Sequence, residues 1–148
     1  MLSPGKYHEY VPRDMLGNLE YRKALLTRAE NDEKFQQGVL EMCKVDILFW
    51  INSFVFQVNP NKNEVGPFIT WPFQERALLD DRKLLWWTQN KEDGCIEKSR
   101  DMGATWLYLI TDEWLRRFHD YHDSLLVSKS AAAVDGPSHQ RLFGKLRF

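Results

Sequence analysis

Gly94-Cys95-Ile96-Glu97-Lys98-Ser99, then Arg100-Asp101-Met102-Gly103, then Ala104 to Arg117, then Ser124-Leu125-Leu126-Val127-Ser128 is the stretch on which the fold turns. Residues 94–99 are a short run bounded by turn formers, which predicts a strand. Residues 100–103 read as a loop. Ala104 to Arg117 carries its apolar residues at helical spacing. Residues 124–128 are a second short apolar run and predict a second strand. Strand, loop, helix and strand make a βαβ unit, with parallel strands and a right-handed crossover. The expected class is therefore α/β.

Outward from this unit the chain reads as helix. Residues 131–137 are small and turn-prone, and 138–147 suit a short helix. Upstream, residues 13–33 place Leu16, Leu19, Leu25, Leu26 and Ala29 at mixed three- and four-residue steps, opposite Arg and Glu. Asn31-Asp32 can stop that helix and cap the next. A second helix is expected over 32–57. From Phe49 on it is apolar nearly all round, which predicts burial. Asn59 to Asn63 is a turn cluster. Residues 66–71 read as extended, Pro72 suits a first helical turn, and a helix is expected from 72 to about 89.

The composition bounds the reading. With 148 residues, 43% hydrophobic and 28% charged, the chain suits one domain and is neither a disordered tail nor low-complexity. Twenty basic against 21 acidic residues give a net charge of -1, so bulk charge does not announce a nucleic-acid binder. Cys43 and Cys95 are too few for a disulfide framework and suggest a reducing, intracellular setting. No apolar run is long enough to span a bilayer, and the N-terminus has no secretory core.

Lys98 to Thr105 sits where a phosphate loop would sit. Against the pattern G-x-x-x-x-G-K-[ST], Gly103 and Thr105 match, while Lys98 replaces the first Gly and Ala104 the usual Lys. Backbone N–H groups at a helix N-terminus can face a phosphate, and Gly103 permits close approach. Thr105 can offer a hydroxyl to Mg²⁺, and Lys98 or Arg100 can supply the neutralising cation. From these eight residues alone an ordinary strand-to-helix turn is favoured. Trp71-Pro72-Phe73-Gln74, about 25 residues earlier, shifts that balance. A Gln carboxamide can donate to and accept from an adenine edge, and the neighbouring aromatic can pack on the ring.

Phe49 to Phe54, Gly66-Pro67-Phe68 through Gln74, and Glu97 to Trp106, in that order, resemble the large terminase subunit of tailed bacteriophages. The resemblance runs from about residue 40 to the C-terminus. It implies a P-loop, RecA-like ATPase with a parallel sheet. The helical preface would occupy 1–58, and 59–148 would be the truncated start of the ATPase domain, up to its first βαβ. It further implies that Gln74 contacts adenine with Phe73 shaping the pocket. Residues Ser99, Arg100, Asp101, Met102, Gly103 and Ala104 would wrap the phosphates, and Thr105 would meet Mg²⁺. Some terminases place the functional Lys at the start of the loop, and Lys98 matches that variant of the Walker A pattern. In the whole motor, ATP hydrolysis would drive double-stranded DNA into the procapsid. The implied partners are the portal protein and the small terminase subunit, and the setting is the host cytoplasm.

The family's Asp-Glu strand, which positions Mg²⁺ and the attacking water, has no counterpart here. Asp112-Glu113 lies inside the helix after the loop and reads as a solvated face. The chain alone is therefore expected to hydrolyse ATP negligibly. The alternatives are a helicase-type P-loop ATPase and a non-enzymatic helical interaction module. His119-Asp120-Tyr121-His122-Asp123 resembles a metal cluster at a glance, but a helix end followed by a turn explains it better. Trp50, Trp86 and Trp87 could stack nucleotides or bases, but their apolar helical stripes favour core. Arg141, Lys145 and Arg147 suit contact with DNA phosphates and a solvated helix face equally.

Overall fold

The computed structural model describes residues 6–59, 64–80, 84–90, 92–99, 102–135 and 141–146. Helices α1 (Met15–Asn31), α2 (Glu33–Val45) and α3 (Ile47–Phe54) come first, followed by the strands β1 (Phe56–Asn59) and β2 (Glu64–Pro67). Then come α4 (Pro72–Leu79), α5 (Leu84–Asn90), the long α6 (Ala104–Phe118), and the short α7 (Ala131–Val134) and α8 (Leu142–Leu146).

Three aspartates set the first three helix starts. Asp14 accepts from the Gly17 N–H at 2.7 Å, Asp32 from Phe35 at 2.9 Å, and Asp46 from Phe49 at 3.0 Å. Each carboxylate satisfies an orphan N–H at the positive end of a helix. Asp32 both ends α1 and starts α2, as the sequence predicts. The helix expected over 32–57 is instead two helices divided at Asp46, and its tail is β1. Asp46 is buried, and its Oδ2 also pairs with His8, accepting from the backbone N–H and meeting ring Nδ1, each at 2.9 Å. This docks the 3₁₀ turn Tyr7–Tyr10 against α3.

Helix α3 is buried from Ile47 to Ser53, as its all-round apolar sequence requires. Phe49, Ile51, Leu78, Leu107, Ile110 and Trp114 share its core. Burying side chains of this size contributes roughly 1.5–3 kcal/mol each. The Trp114 indole N–H donates to the Cys43 carbonyl at 2.7 Å, fastening α6 to α2.

The structure is mixed α/β and mostly helical, but the expected parallel βαβ is not seen. Among the described residues the sheet is an antiparallel β1–β2 hairpin, with Phe56 opposite Pro67 and Val58 opposite Val65. Neither 94–99 nor 124–128 pairs in a ladder. Parallel pairs are held where both faces are covered. Here Leu125 and Val127 are 87% and 78% exposed, and Glu92 to Cys95 are exposed too, so nothing dries these segments into a sheet. The helix expected over 72–89 is helical at both ends, as α4 and α5, with Pro72 in its first turn. Residues 81–83 lie outside the described residues.

Candidate functional site

A buried polar network aims the start of α4. Asn52 donates from Nδ2 to Thr70 Oγ1 at 2.9 Å, and its Oδ1 accepts from the Thr70 N–H at 2.9 Å. The Thr70 hydroxyl donates to Glu75 at 2.6 Å, while Arg13 reaches Thr70 and Glu75 at 2.7 Å each. Behind this lies Arg22, 3% exposed. Its guanidinium donates to Asn18 Oδ1 at 2.7 Å and to the carbonyls of Asn52 and Val55 at 2.9 Å. Those carbonyls form the negative end of α3, so the cation is matched by a dipole. Burial pushes the Arg22 pKa down to about 10, which leaves it charged at neutral pH.

The network delivers Trp71 and Gln74. Gln74 is 7% exposed; its Oε1 accepts from the Trp71 N–H at 2.9 Å, closing the first turn of α4. Its Nε2 donates to the Met102 carbonyl at 3.3 Å. The segment proposed for adenine is thereby brought against the loop proposed for phosphate. Phe73 is half-buried, its ring edge-on to Trp71 with centroids 5.5 Å apart, and Trp71 is 59% exposed.

Gly103 precedes α6 with φ 71°, the left-handed conformation that glycine accepts without strain. A Cβ there would lie 2.8 Å from Gln74 Nε2. Its carbonyl accepts from the Leu107 N–H at 3.0 Å and opens the helix. Lys98, Ser99 and Thr105 are exposed, and Met102 and Ala104 half-buried. Lys98, Ala104 and Thr105 share a cavity of about 430 Å³ with Tyr108, Leu126 and Leu142. Burial, then the neighbouring Cys95, pushes the Tyr108 phenol up. Arg100 and Asp101 lie outside the described residues.

Lys98 thus offers an exposed cation and Thr105 an exposed hydroxyl near the start of α6, while the space where a Cβ on Gly103 would project is taken by Gln74 Nε2. No group of three His, Cys, Asp or Glu suited to a metal occurs among the described residues.

Further titratable groups lie along α6 and the chain that follows it. Asp112 meets His122 Nε2 at 3.1 Å and accepts from the Ser124 hydroxyl, holding the chain after α6 to the helix. Burial works to raise the Glu113 pKa, but hydrogen bonds and charge from Arg116 and Arg117, at 2.5 and 2.6 Å, together hold it below the usual value. Burial, with Lys44 and His122, pushes His119 down.

The sequence did not single out Asn18, Arg22, Asn52 or Thr70. The available signal was Asn52, since a polar residue amid core positions must find partners. No helix among the described residues is long and apolar enough to cross a membrane. Comparison with known protein families, curated proteins and solved structures finds no match.

Proposed function

We propose that this chain binds Mg²⁺–ATP through a variant phosphate loop and forms the N-terminal part of a viral terminase large subunit. The observation that carries the reading is the hydrogen bond from Gln74 to the Met102 carbonyl. Two segments 28 residues apart, assigned to base and phosphate on separate grounds, meet at the foot of α6. Lys98 and Arg100 would neutralise the phosphates, Ser99 to Ala104 would wrap them, Thr105 would hold Mg²⁺, and Gln74 with Phe73 would contact adenine. In the complete motor, hydrolysis would drive double-stranded DNA into the procapsid, with the portal protein and the small terminase subunit as partners. Segments 94–99 and 124–128 would become parallel strands of a RecA-like sheet once further protein covers Leu125 and Val127.

Calorimetric titration with Mg²⁺–ATP tests the reading. The wild-type chain binds, and Lys98→Ala weakens binding about tenfold or more, the scale of a lost charge-assisted hydrogen bond. Removing Mg²⁺ weakens it further. A second reading, a non-enzymatic helical interaction module, is favoured by the in-chain bonds at both ends of the Gln74 carboxamide. Absence of ATP binding by the wild-type chain decides for that module.

A further inference from the structure

We infer that the cavity between α3, the β1–β2 hairpin, α6 and α8 binds a compact planar anion, an aromatic body carrying one carboxylate. The cavity measures about 490 Å³, within the ~300–1,000 Å³ usual for small-molecule sites. Trp50, Leu109 and Ile110 are buried and form its floor, while Phe56, Val65 and Arg117 are exposed and mark its mouth. Rings reach it from three elements: Trp50 and Phe54 from α3, Phe56 from β1 and Trp106 from α6. Flat apolar walls suit a flat guest, which stacks on such rings or meets them edge-on. Charge selects the head group. Among the described lining residues Arg117 and Lys145 stand against one carboxylate, Glu113. Both oxygens of Glu113 are already engaged, Oε2 by Arg116 at 2.5 Å and Oε1 by Arg117 at 2.6 Å. A ligand carboxylate therefore moves the lining toward charge balance, and a cationic ligand moves it away. Lys145 holds its ammonium 5.8 Å from the Trp106 ring centroid, so charge and aromatic wall lie side by side. Burial pushes the Lys145 pKa down, and an ammonium with part of its hydration lost gains more from a carboxylate than one in open water. None of Gln74, Lys98 and Thr105 lines this cavity, so the inference stands apart from the ATP reading.

Calorimetric titration of the full chain with 2-naphthoate tests this, with 2-naphthalenemethanol as the neutral match in shape. Naphthoate binds at one site, about tenfold or more tighter than the alcohol, the scale of a charge-assisted hydrogen bond. Lys145→Gln keeps most of the stem but not the charge, and removes that preference while the alcohol binds as before. Val65→Glu sets a carboxylate at the exposed mouth, where the fold is insensitive to it, and weakens naphthoate by about threefold or more without weakening the alcohol. Nuclear magnetic resonance places the ligand. The Trp106 indole N–H signal, assigned through Trp106→Phe, shifts during the titration, and that of Trp71, which lies outside the cavity and is 59% exposed, does not. Absence of naphthoate binding overturns the inference. So does equal affinity for the alcohol, a preference that survives both charge variants, or a shift at Trp71 without one at Trp106. Each of these results leaves Mg²⁺–ATP binding, measured separately, where it was.

Discussion

Arg22 is where a single side chain decides most. It is a buried cation with no carboxylate against it among the described residues, balanced by Asn18 and by the carbonyl end of α3. Its guanidinium also lies over the Phe56 ring, 4.7 Å from the centroid, so one residue ties α1, α3 and β1 together. Removing it takes the guanidinium donor from Asn18 Oδ1 and from the Asn52 and Val55 carbonyls, which keep the Asn18 Nδ2 and Phe68 N–H donors respectively. Hydrogen bonds to a charged group contribute about 1.5–3 kcal/mol each. Arg22→Met keeps the stem but not the donors, and should lower the unfolding free energy by about 3 kcal/mol or more in urea titration. Arg22→Lys should recover only part, because an ammonium cannot reproduce the planar fork. A loss below about 1 kcal/mol for Arg22→Met would show that the network is dispensable. None of this was legible in the sequence, where Arg22 shares a helical pattern with Arg28 and Lys23 and arginine is usually exposed.

At the scale of elements, legibility followed the kind of interaction. Elements fixed by local chemistry were readable: α1 and its Asp32 stop, Pro72 at the head of α4, and α6. Elements fixed by distant partners were not. Asp46 sits in an apolar run with helical periodicity on both sides, so the pattern continues across it. It breaks the helix because its carboxylate serves the Phe49 N–H and His8 together, and His8 lies 38 residues away. The candidate site divides the same way. Gly103 and Gln74 were visible as residue types at suggestive places, while their contact depends on how α4 is aimed by Asn52 and Thr70. Asp46→Ala removes a cap and two bonds to His8, and should cost about 2 kcal/mol or more. It should also release the Tyr7–Tyr10 turn, so limited proteolysis before Pro12 should accelerate relative to cleavage elsewhere. Equal acceleration at all sites would point to global destabilisation instead.

For the whole molecule, the uneven distribution of apolar surface matters more than its amount. The core from α2 to α6 is closed, yet the chain after α6 presents Leu125 and Val127 almost bare beside Ile96 and the cavity that holds Lys98 and Thr105. Residues so exposed contribute little to folding, because the fold removes little of their surface from water. They do offer surface to another protein or to a second copy. A net charge of -1 supplies little repulsion to oppose that contact. Replacing both together, Leu125→Lys with Val127→Lys, should therefore separate stability from association. The unfolding free energy should stay within about 0.5 kcal/mol of wild type, the range for surface changes. Binding of an apolar dye should fall, and the concentration at which the chain self-associates in sedimentation should rise. A loss of several kcal/mol would mean instead that these side chains are packed in solution, and that 124–128 already lies under cover.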